Sequence, residues 1–168
     1  YYNRGLSKDK KGDYSGAIDD NTKAIKLDPN NSGAYSNRGG AKSKIGDYSG
    51  AIDDNTKAIK LDPDNAGAYS NRGVSKYHKG DYSGAIDDYT KAIKLNPNFA
   101  LAYYNRGLSK DKKGDYSGAI NDYTKAIKLD PAYADAYNNR GFSKDKKGDY
   151  SGAIDDYTKT IKLRPNDE

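Results

Sequence analysis

The heptapeptide Gly-Asp-Tyr-Ser-Gly-Ala-Ile opens at Gly12, Gly46, Gly80, Gly114 and Gly148, always 34 residues apart, with no insertion or deletion. A period that strict constrains the fold more than any single residue does. Each copy is one supersecondary unit that cannot bury its apolar face alone, so neighbouring copies must stack to share a core. The repeats fall at 1–31 (short at its start), 32–65, 66–99, 100–133 and 134–167, and the whole chain, 1–168, reads as one array. Tyr1–Ile18 and Tyr103–Ile120 are identical residue for residue, which points to recent tandem duplication or deliberate construction. The chain opens at Tyr1, partway into a helix, and is expected to be a piece of a longer protein or an engineered one.

Composition explains why stacking is needed. Only 34% of residues are hydrophobic, with no Met or Trp, two Phe and 17 Tyr. Without cysteine there is no disulfide framework and no thiolate zinc site. No apolar run has the length of a membrane span and no signal peptide is visible, so the compartment is left open, cytoplasmic by default. The net charge of +5 comes from interspersed rather than blocked charges, which fits a solvated mixed surface better than a nucleic-acid footprint.

Each repeat reads as two helices. In the second, Asn31 and Ser32 are capping residues ahead of helix A, expected over about Gly33 to Ile45. Gly46 is a helix stop, because glycine takes a left-handed conformation without steric cost. Asp47 caps helix B, expected over Tyr48 to Leu61, and Pro63 ends the repeat. Asp53 and Asp54 near the start of helix B, with Lys57 and Lys60 toward its end, suit the helix dipole and i,i+3 or i,i+4 pairing. Ala51, Ile52, Asn55, Ala58, Ile59 and Leu61 form the stripe of helix B; Tyr35, Gly39 and Lys42 share a face of helix A. A glycine inside helix A costs about 1 kcal/mol against alanine. Close approach of helix B, with the Ala51 column opposite, justifies that cost.

The pattern Tyr35-x2-Arg38-Gly39-x2-Lys42, then Ala51-x3-Asn55, then Pro63 resembles the tetratricopeptide repeat, a Trp-x2-Leu-Gly-x2-Tyr, Ala-x3-Phe, Pro series over 34 residues. The resemblance covers the whole chain. It implies an all-α fold, a right-handed superhelical solenoid of antiparallel helix pairs. It also implies that helices A line a concave surface that commonly receives an extended peptide or a partner helix. The departures are consistent. Tyr stands for Trp, the Arg4, Arg38, Arg72, Arg106, Arg140 column for Leu, and the Lys8, Lys42, Lys76, Lys110, Lys144 column for Tyr. Both cationic columns share their period with the acidic pairs, so an Arg–Asp ladder is expected, with Asp53 or Asp54 serving an arginine of the same or the next repeat. Asn21 and Asn55 replace the helix-B aromatic, which predicts a softer pair of N-terminal repeats by about 2–4 kcal/mol per site.

Nothing here reads as catalytic. His78 is the lone imidazole, in a column otherwise of lysines, which is a surface position. The Asp pairs recur on one helix as caps and ion-pair partners. The serine after each Tyr14-type residue lacks triad partners, and Gly-Asp-Tyr-Ser-Gly lacks the lysine and strand of a phosphate loop. No cofactor or metal is expected. Asn30-Asn31-Ser32 matches a glycosylation sequon, with capping the simpler reason for its asparagines.

The candidate peptide groove comprises Asn37, Asn71, Tyr77, Phe99, Tyr104, Asn105, Leu108, Lys112, Tyr133, Asn139, Phe142 and Lys146. Plain packing and solvated surface is the competing reading of the same positions. The asparagine column offers donors and acceptors to a peptide backbone, and the aromatic residues place a hot spot in the last two repeats. Some tetratricopeptide domains clamp the acidic tails of chaperones through two carboxylates. Asn37 and Asn71 match that clamp's asparagine, but Tyr2, Ser36 and Ser70 stand where its lysine belongs, so that ligand is not predicted. The expected partner is a protein or peptide segment of some acidic character. The alternative is end-to-end self-association through uncapped terminal repeats. A minor alternative, single-stranded RNA binding, is opposed by Asp9, Asp111 and Asp145 in the groove.

Overall fold

A computed structural model describes residues 1–165 and is all-α, with ten helices and no strand among the described residues. They alternate as helix A and helix B: α1 (Tyr2–Lys10), α2 (Tyr14–Leu27), α3 (Ser32–Lys44), α4 (Tyr48–Leu61), α5 (Ala66–His78), α6 (Tyr82–Leu95), α7 (Ala100–Lys112), α8 (Tyr116–Leu129), α9 (Ala134–Lys146) and α10 (Tyr150–Leu163). Residues Tyr1–Leu95, holding α1 to α6, form one compact unit, and a second begins at Asn96 and holds α7 to α10. Within each, every helix packs on its neighbours in sequence, and helices A also touch one another, α1 on α3, α3 on α5 and α7 on α9.

The local signals explain the boundaries. Helix B of the second repeat spans the expected residues, and helix A lies one residue earlier than expected at both ends. Asn31 is its cap, the side chain accepting from the Ala34 amide at 2.9 Å. Asp47 accepts from Gly50 at 2.9 Å, and the same bond recurs from Asp13, Asp81, Asp115 and Asp149. Gly46 reverses the chain at φ 86°, and the Asp47 amide returns to the Lys42 carbonyl at 2.9 Å, satisfying a helix end. The turn reads so regularly because it needs a left-handed residue. A Gly46→Ala variant is therefore expected to lose about 1–2 kcal/mol in a urea melt. In the fourth and fifth repeats Phe99 and Tyr133 take the cap position and make no side-chain cap bond.

The core is narrow. Ala17, Ala51, Ala85, Ala119 and Ala153 are buried, as are Gly5, Gly39, Gly73, Gly107 and Gly141 of the helices A. A Cβ on Gly39 would stand 3.1 Å from the Ala51 carbonyl oxygen, so the small columns do face one another. What the glycines chiefly make room for is the residue four further along helix B. A Cβ on Gly107 would sit 2.6 Å from the Tyr123 ring, and one on Gly5 2.8 Å from the Asn21 amide.

Candidate functional site

The helix-A faces are set by an ionic lattice. Arg38 donates through Nε and Nη2 to the two Asp54 oxygens at 2.8 and 2.6 Å, and Lys42 reaches the same carboxylate at 2.8 Å. The pattern recurs as Arg4/Lys8 on Asp20, Arg72/Lys76 on Asp88, Arg106/Lys110 on Asp122 and Arg140/Lys144 on Asp156. The ladder predicted from sequence exists within each repeat and uses the second residue of the pair, Asp20, Asp54, Asp88, Asp122 or Asp156, the first being Asn121 in the fourth repeat. The second residue is buried in every repeat, whereas Asp53 and its equivalents lie outside, at the surface. The step to the next repeat comes from a residue that sequence reading missed. Arg38 Nη1 donates to Thr22 of the preceding repeat at 3.2 Å, Arg72 to Thr56 at 3.2 Å and Arg140 to Thr124 at 3.0 Å. The signal was the unvarying Thr before each helix-B lysine. Each guanidinium also lies 5.5–5.7 Å from the ring of the tyrosine that stands for tryptophan, a cation–π contact.

This geometry sets the charges. Hydrogen bonds from Arg4 hold the Asp20 carboxyl well below the usual range. Burial pushes Asp156 up, but bonds from Arg140 and Lys144 outweigh it, and its value is lowered. Hydrogen bonding to the aspartates raises Arg4, Arg38 and Arg72. Charged at neutral pH and paired with one another, these groups are fitted to hold helices together.

In the first compact unit, the Asn71 amide lies between neighbouring helices A. Asn71 Nδ2 donates to Ser36 Oγ at 3.4 Å and to its carbonyl at 3.5 Å. Asn37 Nδ2 is enclosed and has no hydrogen-bond partner. Tyr77 packs edge-on against His78 (5.6 Å) and Tyr82 (5.3 Å), while His78, exposed, stacks on Tyr48 at 4.8 Å with 7° between the planes.

In the second unit, the tyrosines of the candidate groove turn out to pack inward. Tyr104 lies 4.8 Å from Tyr133 and 5.8 Å from Tyr123 between ring centroids, and takes a 2.9 Å bond from Asn139 Nδ2. Tyr104 and Tyr133 both pack on the core cluster of Ala126, Ile127 and Ala136. Burial raises the Tyr133 hydroxyl above its ordinary value. Asp111, half-buried, accepts from Tyr123 Oη at 2.6 Å and Ser143 Oγ at 2.7 Å; burial raises its carboxyl against those two bonds. Asn105, Leu108 and Phe99 are half-buried, and Lys112 and Lys146 are exposed. Phe142 stays 43% exposed, with Lys146 Nζ 5.2 Å from its ring centre. Leu101, outside the expected set, is 46% exposed and sits seven residues before Leu108, two helical turns along one face.

Among the described residues no group of three or more His, Asp or Glu side chains is placed to hold a metal ion, and no helix is long and apolar enough to cross a membrane.

Comparison with known proteins bears on the whole chain. A family model described as TPR repeat matches residues 44–80, 75–110 and 112–144, and one described as Tetratricopeptide repeat matches 1–31 and 134–167. No curated protein matches the sequence. Among solved structures, a crystal structure of MamA is 34% identical, covering 96% of this chain and 94% of that one at a TM-score of 0.85. MamA from Desulfovibrio magneticus RS-1 is 25% identical, covering 99% and 94%, also at 0.85. YrrB, described as a TPR protein with an unusual peptide-binding site, is 23% identical over 99% and 86% at 0.79, a likeness of fold. With family matches running nearly end to end and helix pairs of the expected length and order, the chain belongs to the tetratricopeptide repeat family.

Proposed function

We propose that the five repeats form a non-catalytic scaffold that holds an extended or helical segment of a partner protein against the α7 and α9 faces. The observation that carries this reading is an exposed apolar stripe beside lysines. Leu101, Leu108 and Phe142 offer side chains that no neighbour fully covers, and Lys112 and Lys146 stand at its end. A segment with apolar anchors and nearby carboxylates matches that chemistry. Tyr104, Tyr133 and Asn139 hold the stripe in place through their mutual contacts and are supports for it. YrrB, with its peptide-binding site, is a precedent for such a use of the fold. In the first unit, Asn37, Asn71 and Tyr77 offer less, since their faces lie against neighbouring helices.

The test is a fluorescence-anisotropy screen of short labelled peptides that alternate Leu or Phe with Glu, followed by an NMR titration of the best binder. Phe142→Ala is expected to weaken binding about tenfold or more, as for a central anchor. Lys146→Glu should weaken it and flatten its salt dependence. Shifts confined to α1, α3 and α5, or affinity untouched by Phe142→Ala, would remove this site.

A further inference from the structure

We propose that Tyr104 and Tyr133 form an oxidative cross-linking site, where a one-electron oxidant of the peroxidase or photo-oxidised metal-complex class joins the two rings by a carbon–carbon bond. The chain has 17 tyrosines and a single histidine, with no Cys, Met or Trp, so oxidising equivalents fall chiefly on phenols. Tyr104 on α7 and Tyr133, the residue before α9, lie 4.8 Å apart between ring centres with 35° between their planes. Two directly bonded phenol rings need a similar separation and a similar twist. The pair is held in place: both rings pack on the cluster of Ala126, Ile127 and Ala136, and Asn139 Nδ2 donates to Tyr104 Oη at 2.9 Å. Both are half-buried, within reach of a small oxidant at the surface. Tyr77 and Tyr82 in the first unit lie 5.3 Å apart but cross at 62°, with an edge of one ring aimed at the face of the other.

Tyr123 feeds the pair. Its Oη donates to Asp111 at 2.6 Å, so the carboxylate takes the phenol proton as an electron leaves the ring. Burial, which raises the Asp111 carboxyl, makes it the better base. Tyr104, 5.8 Å from Tyr123, then returns an electron to it, and the proton goes back from Asp111. The radical rests on Tyr104, which releases its own phenol proton to water. A second oxidation does the same at Tyr133. The unpaired spins reach the ring carbons beside each oxygen, and a Cε–Cε bond forms between them. Each of those carbons passes its hydrogen to its own phenol oxygen through solvent, restoring both aromatic rings. The sum is two electrons to the oxidant and two protons to water. The product ties α7 to the start of α9, a constraint on the unfolded chain of the kind a disulfide gives, where no cysteine exists to make one.

The test is irradiation of the dilute whole chain with tris(bipyridine)ruthenium(II) and persulfate, the persulfate taking the electrons to become sulfate, followed by tryptic digestion and mass spectrometry. The parent is expected to show dityrosine fluorescence in its monomeric fraction, and peptides 95–106 and 129–140 joined with the loss of two hydrogens. Tyr104→Phe and Tyr133→Phe are each expected to lose that product. Tyr103→Phe and Tyr137→Phe, which alter the other tyrosines of the same two peptides, should keep it. Circular dichroism before irradiation checks that each variant is folded. The parent should also gain more in melting temperature on irradiation than Tyr104→Phe treated alongside it. A parent without the joined peptides, a product that survives Tyr104→Phe or Tyr133→Phe, a bond from Tyr104 to Tyr123 in its place, or no gain in melting temperature would each overturn the proposal. Peptide binding at α7 and α9 plays no part in these readouts.

Discussion

Asp54→Ala is expected to destabilise the protein by about 3–5 kcal/mol, and Asp53→Ala, one residue away, by less than about 0.5 kcal/mol. The two side chains are identical in chemistry, so environment alone separates them. Asp54 is 6% exposed and receives Arg38 and Lys42 at 2.6–2.8 Å. Removing it strands two cations that hold the helices of one repeat and leaves Arg38 with its Thr22 bond and the Tyr35 ring. Asp53 faces solvent. Urea denaturation followed by circular dichroism checks the pair; equal effects would refute the lattice. The same lattice fixes the acid response. Asp20 and Asp156 titrate below the ordinary carboxylate range in the folded state. A depressed folded pKa gives stability that is present above the unfolded value, about 3.9, and lost as pH falls through the folded one. Stability is therefore expected to hold from neutrality to about pH 5 and to fall away below about pH 4.

Tyr123→Asn is expected to cost about 3 kcal/mol or more, and Asn55→Tyr to add about 1–2 kcal/mol. Tyr123 is fully buried, fills the space that Gly107 leaves, and donates to Asp111 at 2.6 Å. Asn55 occupies the same column, equally buried, with Nδ2 on the Ala51 carbonyl at 2.8 Å and Oδ1 without a hydrogen-bond partner. Asn21 repeats this arrangement in α2. An amide in the place of a ring thus forgoes packing and also leaves a buried acceptor unsatisfied. Hydrogen exchange should find α1 to α4 opening more readily than α7 and α8, and Asn55→Tyr should slow exchange across α3 and α4. Equal protection throughout would count against the argument.

Much of this was legible from residues. The reversal at Gly46, the cap at Asp47 and the span of α4 follow from local chemistry that acts over three or four residues, and the 34-residue period extends it to every repeat. The Arg–Asp pairing was visible as two columns with one period. What could not be read was which carboxylate of each pair turns inward, because adjacent residues on a helix differ by about 100° in direction and only the packed partner decides which is enclosed. The threonine bridge was hidden for the same reason: Thr22 and Arg38 lie in different repeats and meet only when the helices stack.

The groove divides in the same manner. Phe142 is exposed and Leu108 half-buried, and Lys112 and Lys146, four residues further along their helices, are exposed. Tyr104 and Tyr133, equally aromatic and equally variable between repeats, lie against Tyr123, Ile127 and Ala136, since a large ring is drawn to whatever apolar surface the neighbouring helix presents. By itself, then, the sequence determined the repeat, its two helices, their ends and the small-residue seam between them, all consequences of backbone geometry and short-range chemistry. Tertiary structure alone decided which polar groups are enclosed, which aromatics are spent on the core and which faces stay open. Those outcomes depend on contacts between residues 12 to 35 positions apart, whose partners are set by how the helices pack.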